Sequence, residues 1–317
     1  MAVPGGPERR WPRPLALFLA TLSLTVLQPI LLVAVPFALL AVVAPGHRLG
    51  ALALAGVVLA LAFSGSPGTG LWYVERGWTL LVGGCFAAIT LVWPAGDFTR
   101  RGLVAVGGGV ASALGVFLLW PEGWAVTDWV VSERIVRGSL ATLETFGALQ
   151  GQDGLSETLM STVERTAELQ GRVFPALLAL SSLSALGVAW WLHVRLSHGR
   201  NTGLGPIRSF RFPDQLVWLL IVGVLLLIWG WGEEWSRAGE NVVVFMSVLY
   251  ALRGIAVVVA LAGGVSVVGF ALATGAMILA APLVLAGAFA LGLGDTWLDL
   301  RTRFRRADAD PETNGTI

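Results

Sequence analysis

The chain has 317 residues, of which 56% are hydrophobic and 13% charged, and its mean hydropathy is +0.76. A soluble domain carries roughly a quarter charged residues, so this composition excludes an ordinary water-exposed surface and predicts burial in lipid. The 21 basic residues are all arginine and nearly balance 20 acidic ones, which excludes lysine-dependent chemistry and leaves no basic face for nucleic acid.

Apolar runs near the 20 residues that a membrane-spanning helix needs recur along the chain. They cover residues 15–44, 49–64, 78–94, 102–120, 172–194, 215–232, 241–262 and 265–294. The first run contains Pro29 and Pro36 and forms either one tilted helix or two helices broken at Gln28-Pro29. The last run, with Gly275 and Pro282, offers the same alternative. We therefore predict an all-α, polytopic transmembrane bundle of about eight membrane helices, with up to ten if both runs break.

Arginine placement predicts the orientation, because basic segments stay in the cytoplasm. The N-terminus, the 195–211 connection and the tail after residue 300 are all basic. Eight crossings would place 195–211 outside, whereas breaking both the first and the last run places all three inside. We expect a multi-pass protein of the bacterial inner membrane with both termini in the cytoplasm.

Composition divides the chain into five parts. These are a basic N-terminus (1–14), an N-terminal membrane bundle (15–120), an acidic insertion (121–171), a C-terminal membrane bundle (172–300) and a basic, then disordered, tail (301–317).

The 121–171 insertion carries eight acidic residues and three arginines. Apolar side chains recur in it at helical spacing on both sides of Gly151-Gln152-Asp153-Gly154. This pattern predicts an extramembrane insertion of two amphipathic helices joined by that turn. Surface helices that lie on a bilayer favour a basic polar face, so an acidic insertion favours capping the bundle or docking a partner.

The chain lacks the motifs of common membrane enzymes and pumps. Its three histidines, His47, His193 and His198, are not paired at metal-ligand spacing, and Cys85 is the only cysteine. Carboxylates fall outside the apolar runs or at their ends, which disfavours an ion-coupled pump. We predict no catalytic residue, no metal site and no cofactor, and hence a protein that is not an enzyme.

Three polar residues within or beside the apolar runs are candidate ligand or packing sites. Arg253 lies midway through 241–262, where a charge costs roughly 2.5–3.5 kcal/mol and needs a partner or a wet cavity. Its functional interpretation is an anion contact in a pocket; the structural one is an arginine that extends to the interface. Asn241 and Gln28 are weaker candidates, and Asn241 is also placed to cap the helix that follows it.

The end of the last run is typical of a helix that leaves the membrane. It combines a tryptophan anchor, Trp297, with two acids, Asp295 and Asp299, and a following arginine, Arg301. Asp295 and Asp299 share one face if the helix continues, and Asp299 has helical spacing to Arg303.

Small residues recur every four positions in two of the runs. Gly107, Ala111 and Gly115 form one row, and Ala271 with Gly275 forms another. Such rows allow close helix contact in lipid, although 40 glycines also produce these spacings by chance.

The last third of the chain resembles the C-terminal signature of the YybS-like family of uncharacterised bacterial inner-membrane proteins. The resemblance is carried by Asn241, by Leu249-Tyr250-Ala251-Leu252-Arg253-Gly254, and by the stretch from Gly292 to Arg301. The family pattern has glutamine where this chain has Arg253. The family is distantly similar to S-components of energy-coupling-factor transporters, and the resemblance implies a substrate-binding subunit that works with an ATPase module.

Two functions remain open. One is an S-component-like small-molecule binding or transport subunit, embedded in the lipid bilayer and assembled with other membrane subunits or an ATPase module. The other is a membrane scaffold or regulator that docks a partner through 121–171. A ligand-sized pocket in the bundle distinguishes the first from the second.

Overall fold

The computed structural model describes residues 12–25, 27–43, 49–64, 70–150, 157–197, 203–229, 232–264 and 267–303. Within these ranges the secondary structure is helical. Ten α-helices are described: α1 Pro12–Leu24, α2 Pro29–Val43, α3 Leu49–Phe63, α4 Gly70–Val92, α5 Phe98–Leu119, α6 Glu122–Gln150, α7 Glu157–Leu196, α8 Val217–Ile228, α9 Glu233–Leu261 and α10 Val267–Leu298.

Five of these helices are long and apolar enough to cross a membrane. They lie within α4, α5, α7, α9 and α10, and four shorter apolar helices accompany them. Many large apolar side chains of these helices are exposed, for example Leu118, Leu279 and Ile278. An exposed apolar surface of this extent is stable in lipid rather than in water, so the predicted all-α polytopic membrane bundle is confirmed.

The two ambiguous runs behave differently. The first run breaks at Gln28-Pro29 into α1 and α2, because proline is favoured at the start of a helix and lacks the N–H that an unbroken helix would use there. The last run stays one helix, α10, with a kink where Ala280 has φ −145° and ψ 42°. Pro282 lies two residues later and removes a backbone donor from the helix, which accounts for the kink.

The chain forms two compact units, residues 1–204 and 205–317. The first contains α1 to α7 and the second α8 to α10. The boundary lies after α7, whereas the sequence division began the second membrane bundle at residue 172.

In the N-terminal unit, α7 is the central helix and packs against α1, α2, α5 and α6. Its buried side chains include Leu186 and Trp190. The Trp190 ring contacts Phe86 of α4 edge-on at 6.1 Å between centroids. The indole nitrogen of Trp78 on α4 donates to Ser182 Oγ on α7 at 2.8 Å. Aromatic packing and this partly buried hydrogen bond hold α4 against α7.

The predicted insertion is a pair of long helices that continue into the bundle. The 40 residues of α7 run without a break from position 157 through the apolar run 172–194. At 1.5 Å per residue α7 is about 60 Å long, about twice the hydrocarbon thickness, so it extends well beyond a bilayer. The turn predicted at 151–154 lies outside the described residues.

The first half of α6 packs on the bundle. Val131 and Ile135 of α6 form a buried cluster with Phe174 of α7, and the Trp124 ring stacks on Phe174 at 5.8 Å. Farther along α6, Val136 and Leu140 are half exposed. The α6–α7 pair is thus anchored on the bundle through Val131, Ile135 and Phe174.

In the C-terminal unit, α9 lies between α8 and α10. A Cβ atom built on Gly239 would lie 2.8 Å from the carbonyl oxygen of Gly223 on α8. One built on Gly254 would lie 1.8 Å from the carbonyl oxygen of Ala288, and one on Gly292 would lie 1.9 Å from that of Tyr250. Glycine is therefore required at the α9–α10 crossing, where the two backbones touch.

The small-residue rows proposed from spacing do not mark close contacts among the described residues. A Cβ atom on Gly107, Gly115 or Gly275 would meet nothing within 4 Å in the described structure. The described contacts of these glycines therefore do not support the packing interpretation. The glycines that do pack closely, such as Gly254 and Gly292, lie 38 positions apart on different helices, so no local repeat reveals them.

Candidate functional site

An open pocket of about 470 Å³ lies in the N-terminal unit, where the α1–α2 break meets the α6–α7 pair. The break contributes Thr25, Leu27 and Pro29 to its wall, and α7 contributes Thr166 and Gln170. The remaining lining residues are Leu22, Arg134, Ile135, Gly138, Ser139, Thr142, Val163 and Ala167. Its volume falls within the range of small-molecule sites.

The pocket wall mixes apolar side chains with hydroxyl groups. Ser139 donates to the carbonyl of Ile135 at 3.0 Å, Thr142 to that of Gly138 at 2.8 Å, and Thr166 to that of Thr162 at 2.7 Å. Because these hydroxyl protons are used within the helices, the oxygens offer lone pairs to a ligand. Arg134 and the amide of Gln170 supply donors at the same wall.

A buried carboxylate lies close to this wall. Glu75 of α4 is 3% exposed, and its Oε2 is 3.7 Å from Arg76 Nη1. The backbone N–H of Gln28 interacts with this carboxylate as a hydrogen-bond donor, and the positive charge of Arg134 attracts it. Its Oε1 has no hydrogen-bond partner in the described part of the chain. Sequence analysis missed Glu75 because it precedes the apolar run 78–94, whereas α4 begins at Gly70.

Gln28, a candidate from the sequence, is an exposed residue at the α1–α2 break. It lies between Leu27 and Pro29, which both line the pocket. Gln28 interacts with the Glu75 carboxylate through its backbone N–H rather than through its side chain.

The C-terminal unit contains a buried charge cluster around Arg253. The guanidinium is 3% exposed, and its Nε donates to Asp295 Oδ2 at 3.0 Å. Its Nη1 donates to Asp214 Oδ1 at 2.6 Å, and its Nη2 to the Asp295 carbonyl at 3.3 Å. Arg253 is therefore compensated by carboxylates from two other segments of the chain.

Arg301 approaches the same carboxylate. Its Nη2 lies 3.3 Å from Asp295 Oδ2, and its Nη1 donates to the carbonyls of Arg208 and Phe210 at 2.9 and 3.1 Å. Burial lowers the pKa of the Arg301 guanidinium, and the Asp295 carboxylate opposes that shift. Asp295 thus joins two buried arginines.

Asp299 is separated from Asp295 by the end of α10. It adopts a positive φ of 41°, which ends the regular helix, and its side chain is exposed and paired with Arg211. Hydrogen bonds from Thr302 and Arg211 lower the pKa of its carboxyl group. The two acids therefore do not form one helical face, and Trp297 between them is 65% exposed, as an interface anchor would be.

Asn241 does not cap a helix, because α9 begins at Glu233. Its Nδ2 donates to the carbonyl of Arg237 at 2.8 Å within α9. The C-terminal unit also has a pocket of about 320 Å³ lined by Ser247, Val248, Ala251, Leu285, Ala286 and Phe289, which is largely apolar. The polar pocket thus belongs to the N-terminal unit and is lined by neighbours of Gln28, whereas Arg253 and Asn241 belong to the C-terminal unit.

Within the ranges that the structure describes, no three His, Cys, Asp or Glu side chains gather as a metal site. The helices, the exposed apolar surface and the polar pocket together define a polytopic helical integral membrane protein.

The chain belongs to the family described as predicted membrane protein (DUF2232), whose model matches residues 15–296. No curated protein and no solved structure matches the chain. The matched range includes both the pocket and the Arg253–Asp295 cluster.

Proposed function

We propose that this protein is a membrane subunit that binds a small polar molecule in the pocket between the α1–α2 break and the α6–α7 pair. The observation that carries the proposal is the pocket itself: about 470 Å³, open, and lined by both hydroxyl and apolar side chains. Sites for small organic molecules combine an apolar wall with a few placed polar groups. A role as an S-component-like transport subunit of the bacterial inner membrane, without catalysis, fits a binding site of this kind.

The position of the pocket supports access from water. Its walls come from the α6–α7 pair, which is too long to be contained in a bilayer. A transport subunit would also need a partner that supplies energy, and we propose a separate ATPase module for that role.

Gly138 allows a direct test. It lines the pocket, and a Cβ atom built on it meets nothing within 4 Å among the described residues, so Gly138→Trp fills the space without a clash at Cβ. We propose to screen polar metabolites bearing hydroxyl, amino and carboxylate groups by thermal shift on the purified protein. Stabilising compounds are then titrated against Gly138→Trp and a matched control, Leu140→Trp, on the exposed face of α6.

A ligand of the pocket is expected to raise the melting temperature of the wild type and of Leu140→Trp but not of Gly138→Trp. Equal responses of all three proteins to every stabilising compound would show that these compounds bind elsewhere and contradict the proposal.

A second candidate function is a scaffold or regulator that docks a partner on the α6–α7 pair. It is favoured by exposed apolar side chains on the pair, with Val136 at 50%, Leu140 at 54% and Leu169 at 55% exposure. Leu140→Glu combined with Leu169→Glu should abolish a phenotype that depends on docking. If cells carrying the double variant keep the wild-type phenotype at equal protein level, the docking function is excluded.

A further inference from the structure

Arg101 in the first turn of α5 is a buried charge without a hydrogen-bond partner among the described residues. The residue is 1% exposed, and Nε, Nη1 and Nη2 all have no hydrogen-bond partner among the described residues. A buried guanidinium without hydrogen bonds is strongly unfavourable, and such groups in native proteins mark a bound ion, water or ligand.

One contact of Arg101 stabilises its charge. Its guanidinium carbon lies 4.3 Å from the centroid of the Trp190 ring, which stacks on His193 at 5.2 Å. A cation over an indole face is stabilised, but this contact uses none of the five N–H donors. The hydrogen-bonding edge of the guanidinium is therefore left without an acceptor among the described residues.

The side chain runs back toward the N-terminal end of α5. A Cβ atom built on Gly96 would lie 3.7 Å from Arg101 Cγ and 3.8 Å from Cδ, so the aliphatic stem passes the residue just before the helix. The first N–H groups of a helix have no acceptor within it. Asp97, in the N-cap position, makes no side-chain capping hydrogen bond in the described structure.

We propose that Arg101 and the N-terminal turn of α5 form a binding site for a phosphate-type oxyanion. A phosphate group carries enough acceptor oxygens to serve both a guanidinium and several backbone N–H groups. The 22-residue α5 adds the partial positive charge of its N-terminus. Two sources share this chemistry: the headgroup of a phospholipid and free phosphate in solution.

A phospholipid is one source because the residues around the N-terminal end of α5 resemble those at a membrane interface. Arg100 lies over Trp93 at 5.6 Å, and Arg195 lies over Trp191 at 5.4 Å on α7. Tryptophan and arginine are concentrated at the depth of lipid headgroups.

The test uses the full-length protein, purified in a neutral detergent and stripped of lipid. In one arm, inorganic phosphate replaces chloride at constant ionic strength while the melting temperature is measured. In the other, native mass spectrometry compares retention of phosphatidylglycerol with that of monogalactosyldiacylglycerol, which has no phosphate. Both arms compare the wild type with Arg101→Gln and with Arg137→Gln, a control that removes the same charge from an exposed position.

Arg101→Gln is expected to weaken binding of the responding probe by at least about tenfold, because it removes a charge-assisted, bidentate contact. Arg137→Gln should behave like the wild type. A response in the lipid arm alone assigns the site to headgroups, and a response to inorganic phosphate assigns it to a soluble anion. Should Arg101→Gln fail to fold, Arg101→Lys keeps the charge without the bidentate geometry and is expected to lose affinity several-fold.

The proposal is overturned if neither probe distinguishes the Arg101 variants from the wild type. Asp97, whose charge acts on Arg101, is the rival partner. If Asp97→Asn destabilises the protein as much as Arg101→Gln while both probes bind all variants equally, Asp97 pairs with Arg101 in solution and no anion is bound.

Discussion

Arg253 and Asp295 lie 42 positions apart in the sequence and form a buried ion pair. The Nε of Arg253 donates to Oδ2 of Asp295 at 3.0 Å. The two side chains are 3% and 0% exposed. The pair lies near the crossing of α9 and α10, where Gly254 and Gly292 bring the backbones into contact. Two buried charges at a close helix crossing are stable only together, and this determines the effect of changing either one.

Asp295→Ala should destabilise the protein by about 3–5 kcal/mol, because it leaves Arg253 and Arg301 buried without their shared carboxylate. The measurement is unfolding in mixed micelles by denaturing detergent. Asp299→Asn is the control, since that carboxylate is half exposed, its pair with Arg211 is worth at most about 1 kcal/mol, and asparagine tolerates the positive φ at this position. Equal losses for the two variants would contradict a buried role for Asp295.

Gly254→Ala should force α9 and α10 apart, since its Cβ would lie 1.8 Å from the carbonyl oxygen of Ala288. We expect a clear fall in the melting temperature in detergent. The same change at Gly275, where a Cβ meets nothing within 4 Å of the described chain, should be neutral or raise helix stability by up to about 1 kcal/mol. Tolerance of alanine at position 254 would show that the crossing is looser than described.

Ser182→Ala should cost about 0.5–1.5 kcal/mol, because it removes the acceptor of the partly buried Trp78 indole N–H. Ser184→Ala is the matched control, since the Ser184 hydroxyl donates only to its own helix, at the carbonyl of Leu180. Unfolding measured by tryptophan fluorescence checks both variants. If the control loses as much stability as Ser182→Ala, the α4–α7 hydrogen bond is not the cause.

The pair of Asp299 with Thr302 and Arg211 should make stability depend on pH in the acid range. The folded-state pKa of Asp299 is lowered, so its contribution is present above the unfolded value of about 3.9 and is lost as pH falls through the folded value. Asp299→Asn removes this contribution while keeping a residue that tolerates the positive φ.

The melting temperatures of the wild type and Asp299→Asn should therefore differ at pH 7 and converge as the pH falls through the lowered folded-state pKa of Asp299. A difference that is constant across this range would show that protonation of Asp299 is not involved.

The local hydropathy pattern of the sequence predicted most of the helices. Apolar runs located the membrane helices, and Gln28-Pro29 offered the break that the structure adopts. Helix starts were less accurate: α4 begins at Gly70 and α9 at Glu233, upstream of the apolar runs at 78 and 241, because helices accept charged residues that an apolar criterion rejects. The cost of a charge in lipid predicted that Arg253 needs a partner. It did not predict which residues those partners are.

The sequence by itself determined the solvent of this protein: too few charges for water and enough apolar runs for several crossings make it a membrane bundle. Only the tertiary structure decided which distant residues meet, such as Arg253 with Asp295, Gly254 with Gly292, and the α1–α2 break with α6 and α7 around the pocket. The physical reason is that hydropathy and helical period act over a few turns, whereas ion pairing and backbone contact depend on how separate helices cross.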